Sequence, residues 1–208
     1  MMSNDGRVYS VLVVSASEKF NSVIAMQLPE YSYSPITYAN SIACARRAML
    51  ERSYDMILIN TPLPDDFGTD FAIDACSKTC AAVLLVIKND MYDDISRGAL
   101  NQGVFTIAKP TPQLMLSHTV RLMSAARERL RRFERNEMKL EEKMEEIRLV
   151  NRAKWKLIAD KSMTEQEAHA LIGRVAMNRC ITRRQVALEI LDGCELDINE
   201  TYTRPEIS

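Results

Sequence analysis

The stretch Arg152–Asp192, RAKWKLIADKSMTEQEAHALIGRVAMNRCITRRQVALEILD, decides how the C-terminal part of this chain folds. It opens as the end of one helix. Ser162-Met163-Thr164-Glu165 breaks that helix and starts another, because Thr164 as N-cap with Glu167 three residues on is a capping box. Ala168, Leu171, Ile172, Val175 and Ala176 recur at helical spacing and give the second helix an apolar face. Thr182 with Gln185 repeats the capping signal. Val186, Ile190 and Leu191 form the next face, and Gly193 supplies the stop. Three apolar faces so close together predict a three-helix bundle with one shared core over residues 148–193.

The same region is basic. The 208-residue chain has a net charge of −1, but residues 148–192 carry nine Lys and Arg against five Asp and Glu. Residues 1–120 and 193–208 are each acidic by three charges. A basic island between acidic flanks favours a polyanionic partner. The polar residues 194–208 read as a loose tail.

Upstream, no Gly or Pro occurs from Gln113 to Lys161. An unbroken helix of that span is roughly 70 Å long. Leu130, Phe133, Leu140, Met144 and Ile147 fall, with Ala126, on a 4-3 spacing that Glu137 interrupts, within sequence dense in charge of both signs. Such a stripe predicts a coiled-coil helix over 113–147 that buries its seam against a second copy, giving a parallel homodimer. A solvated connector helix is the alternative.

Residues 1–112 alternate strand-like apolar runs with helical patterns. Val8–Val14, Tyr33–Tyr38, Met56–Ile59, Ala82–Ile87 and Val104–Ala108 read as strands. The segments near 17–28, 41–52, 70–77 and 91–101 read as helices. Strands that are continuously apolar and separated by helices predict an α/β doubly wound five-stranded parallel sheet. The hydrophobic fraction of 47% suits a soluble core, and no apolar run reaches the ~20 residues of a membrane span. The N-terminus carries no signal-peptide pattern. Five cysteines without framework spacing point to reduced thiols and a cytoplasmic protein. Cys76 and Cys80 have no companion ligands for a metal, and no cofactor motif is present.

The order and spacing of elements over residues 8–112 resemble the receiver domain of response regulators. The most specific match is Tyr54-Asp55-Met56-Ile57-Leu58-Ile59-Asn60 with Pro64 and Gly68, followed by Lys109-Pro110. The resemblance implies a phospho-accepting Asp at the end of the third strand, two acidic Mg²⁺ ligands after the first, a Ser or Thr ending the fourth, and a Lys after the fifth. Here those positions hold Asn60, Ser15 with Ala16, and Ile87; Lys109 alone remains. An amide is not the nucleophile that aspartyl phosphorylation needs, and Ser15 and Ala16 offer no carboxylate to Mg²⁺. Residues 1–112 are expected to be a pseudo-receiver that takes no phosphate. Asp65 and Asp66 read as solvated loop charges.

Residues 148–192 resemble the ANTAR family of RNA-binding transcription antitermination regulators. The matching residues are Arg152-Ala153-Lys154 with Leu157, Met163-Thr164-Glu165 leading to Ala168, Leu171 with Ala176-Met177, and Val186-Ala187 with Ile190-Leu191. Gly173 departs from the pattern, where many members carry a longer polar side chain. The resemblance implies binding to hairpins in nascent mRNA, which stabilises an antiterminator over a terminator. Cations on phosphates and side chains at base edges would carry such binding. The candidates are Arg152, Lys156, Lys161, Arg174, Arg179, Arg183 and Arg184 for phosphates and Asn178 for a base edge. Trp155 would either stack on a base or pack in the bundle. Met177 reads as core, and Ala153, Ala168 and Ala176 as close-approach positions.

The expected function is therefore an RNA-binding antiterminator, acting as a homodimer, with a regulatory protein or small ligand as the input at residues 1–112. Two other readings compete. The helices at 164–178 and 182–192 could serve as a helix-turn-helix of a DNA-binding response regulator, although the second turns apolar soon after Arg183-Arg184. The chain could instead be a dimeric interaction protein with an incidental basic patch. An enzyme is not expected: His118 and His169 stand on helices with no nucleophile, acid pair or phosphate loop beside them.

Overall fold

The computed structural model describes residues 7–194. The expected tail falls, apart from Cys194, outside the described residues. Residues 1–133 and 134–208 form two compact units.

In the first unit, β1 (Tyr9–Val14), β2 (Tyr33–Ala39), β3 (Met56–Asn60), β4 (Ala82–Lys88) and β5 (Phe105–Lys109) make one parallel sheet in the order β2-β1-β3-β4-β5. The helices α1 (Glu18–Gln27), α2 (Ile42–Glu51), α3 (Thr69–Lys78) and α4 (Tyr92–Asn101) connect the strands. The expected doubly wound five-stranded sheet is present. Its alternation is double-sided: Val11, Val13, Met56, Leu58, Leu84 and Val86 face one core, which contains Ile24 of α1. Leu12, Val14, Ile57, Ile59, Val83 and Leu85 face the other, against α2 and α3. Pro35 lies in β2, whose edge position tolerates the missing donor.

Local chemistry starts α1, α2 and α3. Ser17 accepts a hydrogen bond from the Phe20 N–H and Ser41 from the Cys44 N–H. Gly68 precedes α3 at φ +99°, where an added Cβ would lie 3.1 Å from Ile59 Cγ2. Asp65 is not a merely solvated loop charge. It accepts from the backbone N–H groups of Ile42 and Ala43 at 3.0 and 2.9 Å, which caps α2 and holds its carboxyl below the usual range. Asp66 accepts from the Gly68 N–H at 2.7 Å.

The helix α5 (Gln113–Lys161) begins in this unit. Its Leu116, Val120 and Met123 complete the core that faces α1. One turn later it is held by charge. Arg127 and Arg131 reach Asp55, just before β3, at 3.1 and 2.6 Å. Asp55 also accepts from the Ser10 N–H at 3.0 Å. Glu128 pairs with Arg7 and Arg131, and the Arg131 guanidinium lies over the Tyr9 ring.

The second unit holds the end of α5 with α6 (Glu165–Asn178) and α7 (Arg183–Leu191). Val150, Ala153 and Leu157 of α5 pack with Ala168, Leu171, Ile172, Val175 and Ala176 of α6 and with Val186, Ala187 and Ile190 of α7. This is the shared core expected from the three apolar faces. Both capping boxes form: Thr164 with Glu167, and Thr182 with Gln185.

Candidate nucleic-acid interface and the altered acceptor site

Core packing divides the second unit's side chains. Ala153 and Leu157 point α5 into the bundle, so Trp155 between them lies 69% exposed. Packing inside the bundle, one of its two expected roles, is not what it does. Met177 is 74% exposed and is not core. The buried stripe of α6 runs through residues 168, 171, 172, 175 and 176, and the next position turns away from it.

The eight candidate RNA-contact residues fall into two groups. Arg152, Lys161, Arg174 and Arg183 are exposed and, among the described residues, make no ion pair. Arg183 and Gly173 are neighbours: a Cβ at Gly173 would meet Arg183 Nη2 at 3.7 Å. That brings Arg183 of α7 next to the chain position before Arg174. The others are engaged. Arg179 makes a two-pronged pair with Glu189 at 2.5 and 3.1 Å. Arg184 is 3.5 Å from Glu145. Lys156 donates to the Leu191 carbonyl at 3.4 Å, and Asn178 is half-buried with an interaction of its own. Lys154 pairs with Glu165 at 2.9 Å. The stripe residues Leu130, Phe133, Leu140, Met144 and Ile147 are 39, 53, 60, 48 and 59% exposed in the single chain.

The other site lies in the first unit, at the carboxyl ends of β1, β3 and β5. Asn60 is 6% exposed. Its Nδ2 donates to Ser15 Oγ at 3.0 Å, and its Oδ1 accepts from Lys109 Nζ at 2.7 Å. Lys109 also donates to the Thr61 carbonyl. Ser15 Oγ in turn accepts from the Ser17 N–H at 3.1 Å, while Ala16 is exposed and contributes no polar side chain. Ile87 is fully buried against α3 and α4. Val86, its neighbour, faces the cleft instead. Thr61, which follows Asn60, donates its hydroxyl to the Val86 carbonyl at 3.0 Å.

The cleft beside Asn60 has a volume of about 630 Å³. Lys19, Lys88 and Lys109 line it, and among the described residues no carboxylate does. Phe20, Val23, Val86 and Leu116 form its apolar wall. Burial, and then the positive charge of Lys88, hold the Lys109 ammonium below the usual lysine range. The sequence pointed to Lys109 through its place after β5. Lys19 and Lys88 carried no signal, since only the convergence of strand ends brings them together.

The C-terminal helices match a known family, the ANTAR domain, over residues 138–191. Residues 138–191 are an ANTAR domain. The chain thus joins a receiver-type fold to an ANTAR domain. It is similar to the transcriptional regulatory protein PdtaR of Mycobacterium tuberculosis, at 27% identity over 138 residues, which cover 66% of this chain and 67% of that protein. The receiver-type fold has solved counterparts. The signal receiver domain of an HD domain-containing protein from Pseudomonas fluorescens is 17% identical with a TM-score of 0.52, covering 65% of this chain and 97% of that one. A response regulator receiver domain protein from Clostridium thermocellum is 19% identical with a TM-score of 0.51, covering 60% of this chain and 98% of that one. No helix among the described residues is long and apolar enough to cross a membrane.

Proposed function

We propose that this protein is an RNA-binding transcription antiterminator whose ANTAR domain holds hairpins in nascent mRNA, and whose receiver-type unit regulates it without being phosphorylated. The observation that carries the reading is the exposed cation set Arg152, Lys161, Arg174 and Arg183 on the ANTAR helices. Four cations not tied to protein carboxylates are available to phosphates. Trp155 and Met177, exposed on the same domain, offer surfaces on which unpaired bases can stack or rest.

Phosphorylation is replaced by another input. The amide of Asn60 is a poor nucleophile, and Ser15 and Ala16 supply no anionic oxygen for Mg²⁺. A regulatory protein or small ligand then acts on this unit. The protein is a cytoplasmic homodimer, with the stripe from Leu130 to Ile147 as its seam. The support is the exposure of all five stripe residues in the single chain, which leaves their apolar side chains for a second copy to cover. Two ANTAR domains in one dimer raise the effective concentration for a second hairpin without new contacts. The protein is regulatory and not an enzyme.

A gel shift with hairpin RNA against duplex DNA of the same sequence tests the reading. Salt-dependent binding of the hairpin is expected. Equal or stronger binding of the duplex would assign the output to DNA, and binding of neither would leave an interaction protein.

A further inference from the structure

The cleft beside Asn60 is lined by Lys19, Lys88 and Lys109. Among the described residues, Lys109 donates hydrogen bonds to two neutral oxygens, of Asn60 and Thr61. Among the described residues, Lys19, Lys88 and Lys109 form no ion pair. Lys88 is close enough to Lys109 for its charge to be felt there. Three lysines thus line one opening, and among the described residues no carboxylate lines it.

The rest of the wall is unlike a site for a bare inorganic ion. Phe20, Val23, Val86 and Leu116 line it with apolar surface, and its volume of about 630 Å³ suits a small organic molecule. The location fits as well. In an open α/β sheet, ligands bind outside the carboxyl ends of the strands where the strand order reverses, which here is between β1 and β3.

We propose that this cleft binds a small amphipathic organic anion, with its carboxylate or comparable head against Lys88 and Lys109 and its apolar body against Phe20, Val23 and Leu116. This deepens the reading of the receiver-type unit as a regulator that works without phosphorylation, and rests on it. Affinity comes from both halves. The head neutralises a repelling pair of lysines, and the body replaces water on an apolar wall. A neutral molecule of the same shape gains only the second, and a small inorganic ion only the first.

The test uses the full chain and three probes: 1-naphthoate, 1-naphthamide and inorganic phosphate, titrated by calorimetry at low salt. One naphthoate per chain is expected, with naphthamide and phosphate each at least about tenfold weaker. Two variants locate the site. Lys88→Glu, on an exposed side chain, is expected to weaken naphthoate about tenfold. Val23→Asp is expected to weaken it by placing a like charge in the apolar wall, and, should that variant fail to fold, Lys19→Ala is expected to weaken it several-fold by removing a lining cation. Absence of saturable naphthoate binding overturns the proposal, as does equal binding of naphthamide or unchanged binding by Lys88→Glu. None of these readouts involves RNA or phosphoryl transfer. A failed cleft therefore leaves the antiterminator reading standing, and a failed hairpin assay leaves the cleft to be judged by itself.

Discussion

Arg131 on α5 places its guanidinium 2.6 Å from the Asp55 carboxylate at the entrance to β3. With Arg127 on the same oxygen, this contact fastens the long helix to the sheet by charge one turn beyond the point where its apolar contacts end. Removing the charge at Asp55 takes the carboxylate away from two partly buried guanidinium groups, those of Arg127 and Arg131. Asp55→Asn is expected to lower stability by about 2 kcal/mol in urea unfolding of the full chain.

The same carboxyl sets an acid sensitivity. Burial pushes its pKa up. The Ser10 N–H, Arg131 and Arg127 outweigh that and hold it below the usual aspartate range. A group whose pKa is depressed by folding contributes stability that is fully present above its unfolded value. That contribution is lost as pH falls through the folded one. Wild type is therefore expected to lose stability below about pH 4 more steeply than Asp55→Asn, and parallel pH curves for the two proteins would remove Asp55 from this role.

Phosphoryl donors should leave the chain untouched. Incubated with acetyl phosphate and Mg²⁺, the protein is expected to keep its intact mass. Asn60→Asp restores a nucleophile beside Lys109 but not the metal's carboxylates, so this variant is also expected to stay unmodified. A single-phosphate adduct on the wild-type first unit would end the reading of it as a pseudo-receiver.

Cations on the ANTAR helices should differ in their effect on RNA. Replacing Arg183 and Arg184 together by Ala is expected to weaken hairpin binding about fivefold or more and to flatten its salt dependence by about one to two phosphates, with helix content unchanged. Arg179→Ala is expected to do less to binding, because Glu189 already holds that guanidinium. Equal losses for the two variants would mean that the Glu189 pair opens on binding.

Gly173 is a position where stability can be gained. It sits inside α6, and the nearest atom to an added Cβ is the far end of Arg183 at 3.7 Å. Gly173→Ala is expected to stabilise the domain by about 1 kcal/mol, seen as a higher melting temperature of the full chain.

The proposed seam is checked by hydrodynamics. Leu140 and Ile147 are 60 and 59% exposed in the single chain. Leu140→Glu with Ile147→Glu is expected to give a monomer in sedimentation equilibrium at concentrations where wild type is a dimer.

Much of this architecture was legible in the sequence because its signals are local. Strands such as Met56–Asn60 announce themselves by continuous apolar runs. The helices α6 and α7 announce themselves by capping residues three positions apart. What could not be read depends on distant partners. Asp65 looks like a loop charge until α2 folds over it from 23 residues away. The Asp55–Arg127 contact joins residues 72 apart. Met177 looks like core by type, and only its angle on α6 turns it outward. Lys19 and Lys88 join Lys109 at one opening only once the start of α1 and the ends of β4 and β5 meet at the same rim.

The paired capping boxes let the two helices of the ANTAR domain start independently of each other. Thr164 and Thr182 each set the first turn of their own helix through contacts reaching only three residues ahead. Neither start depends on the length of chain between the two helices. Residues inserted around Cys180 and Ile181 would leave both capping contacts in frame, so each helix keeps its own starting signal when the turn changes length.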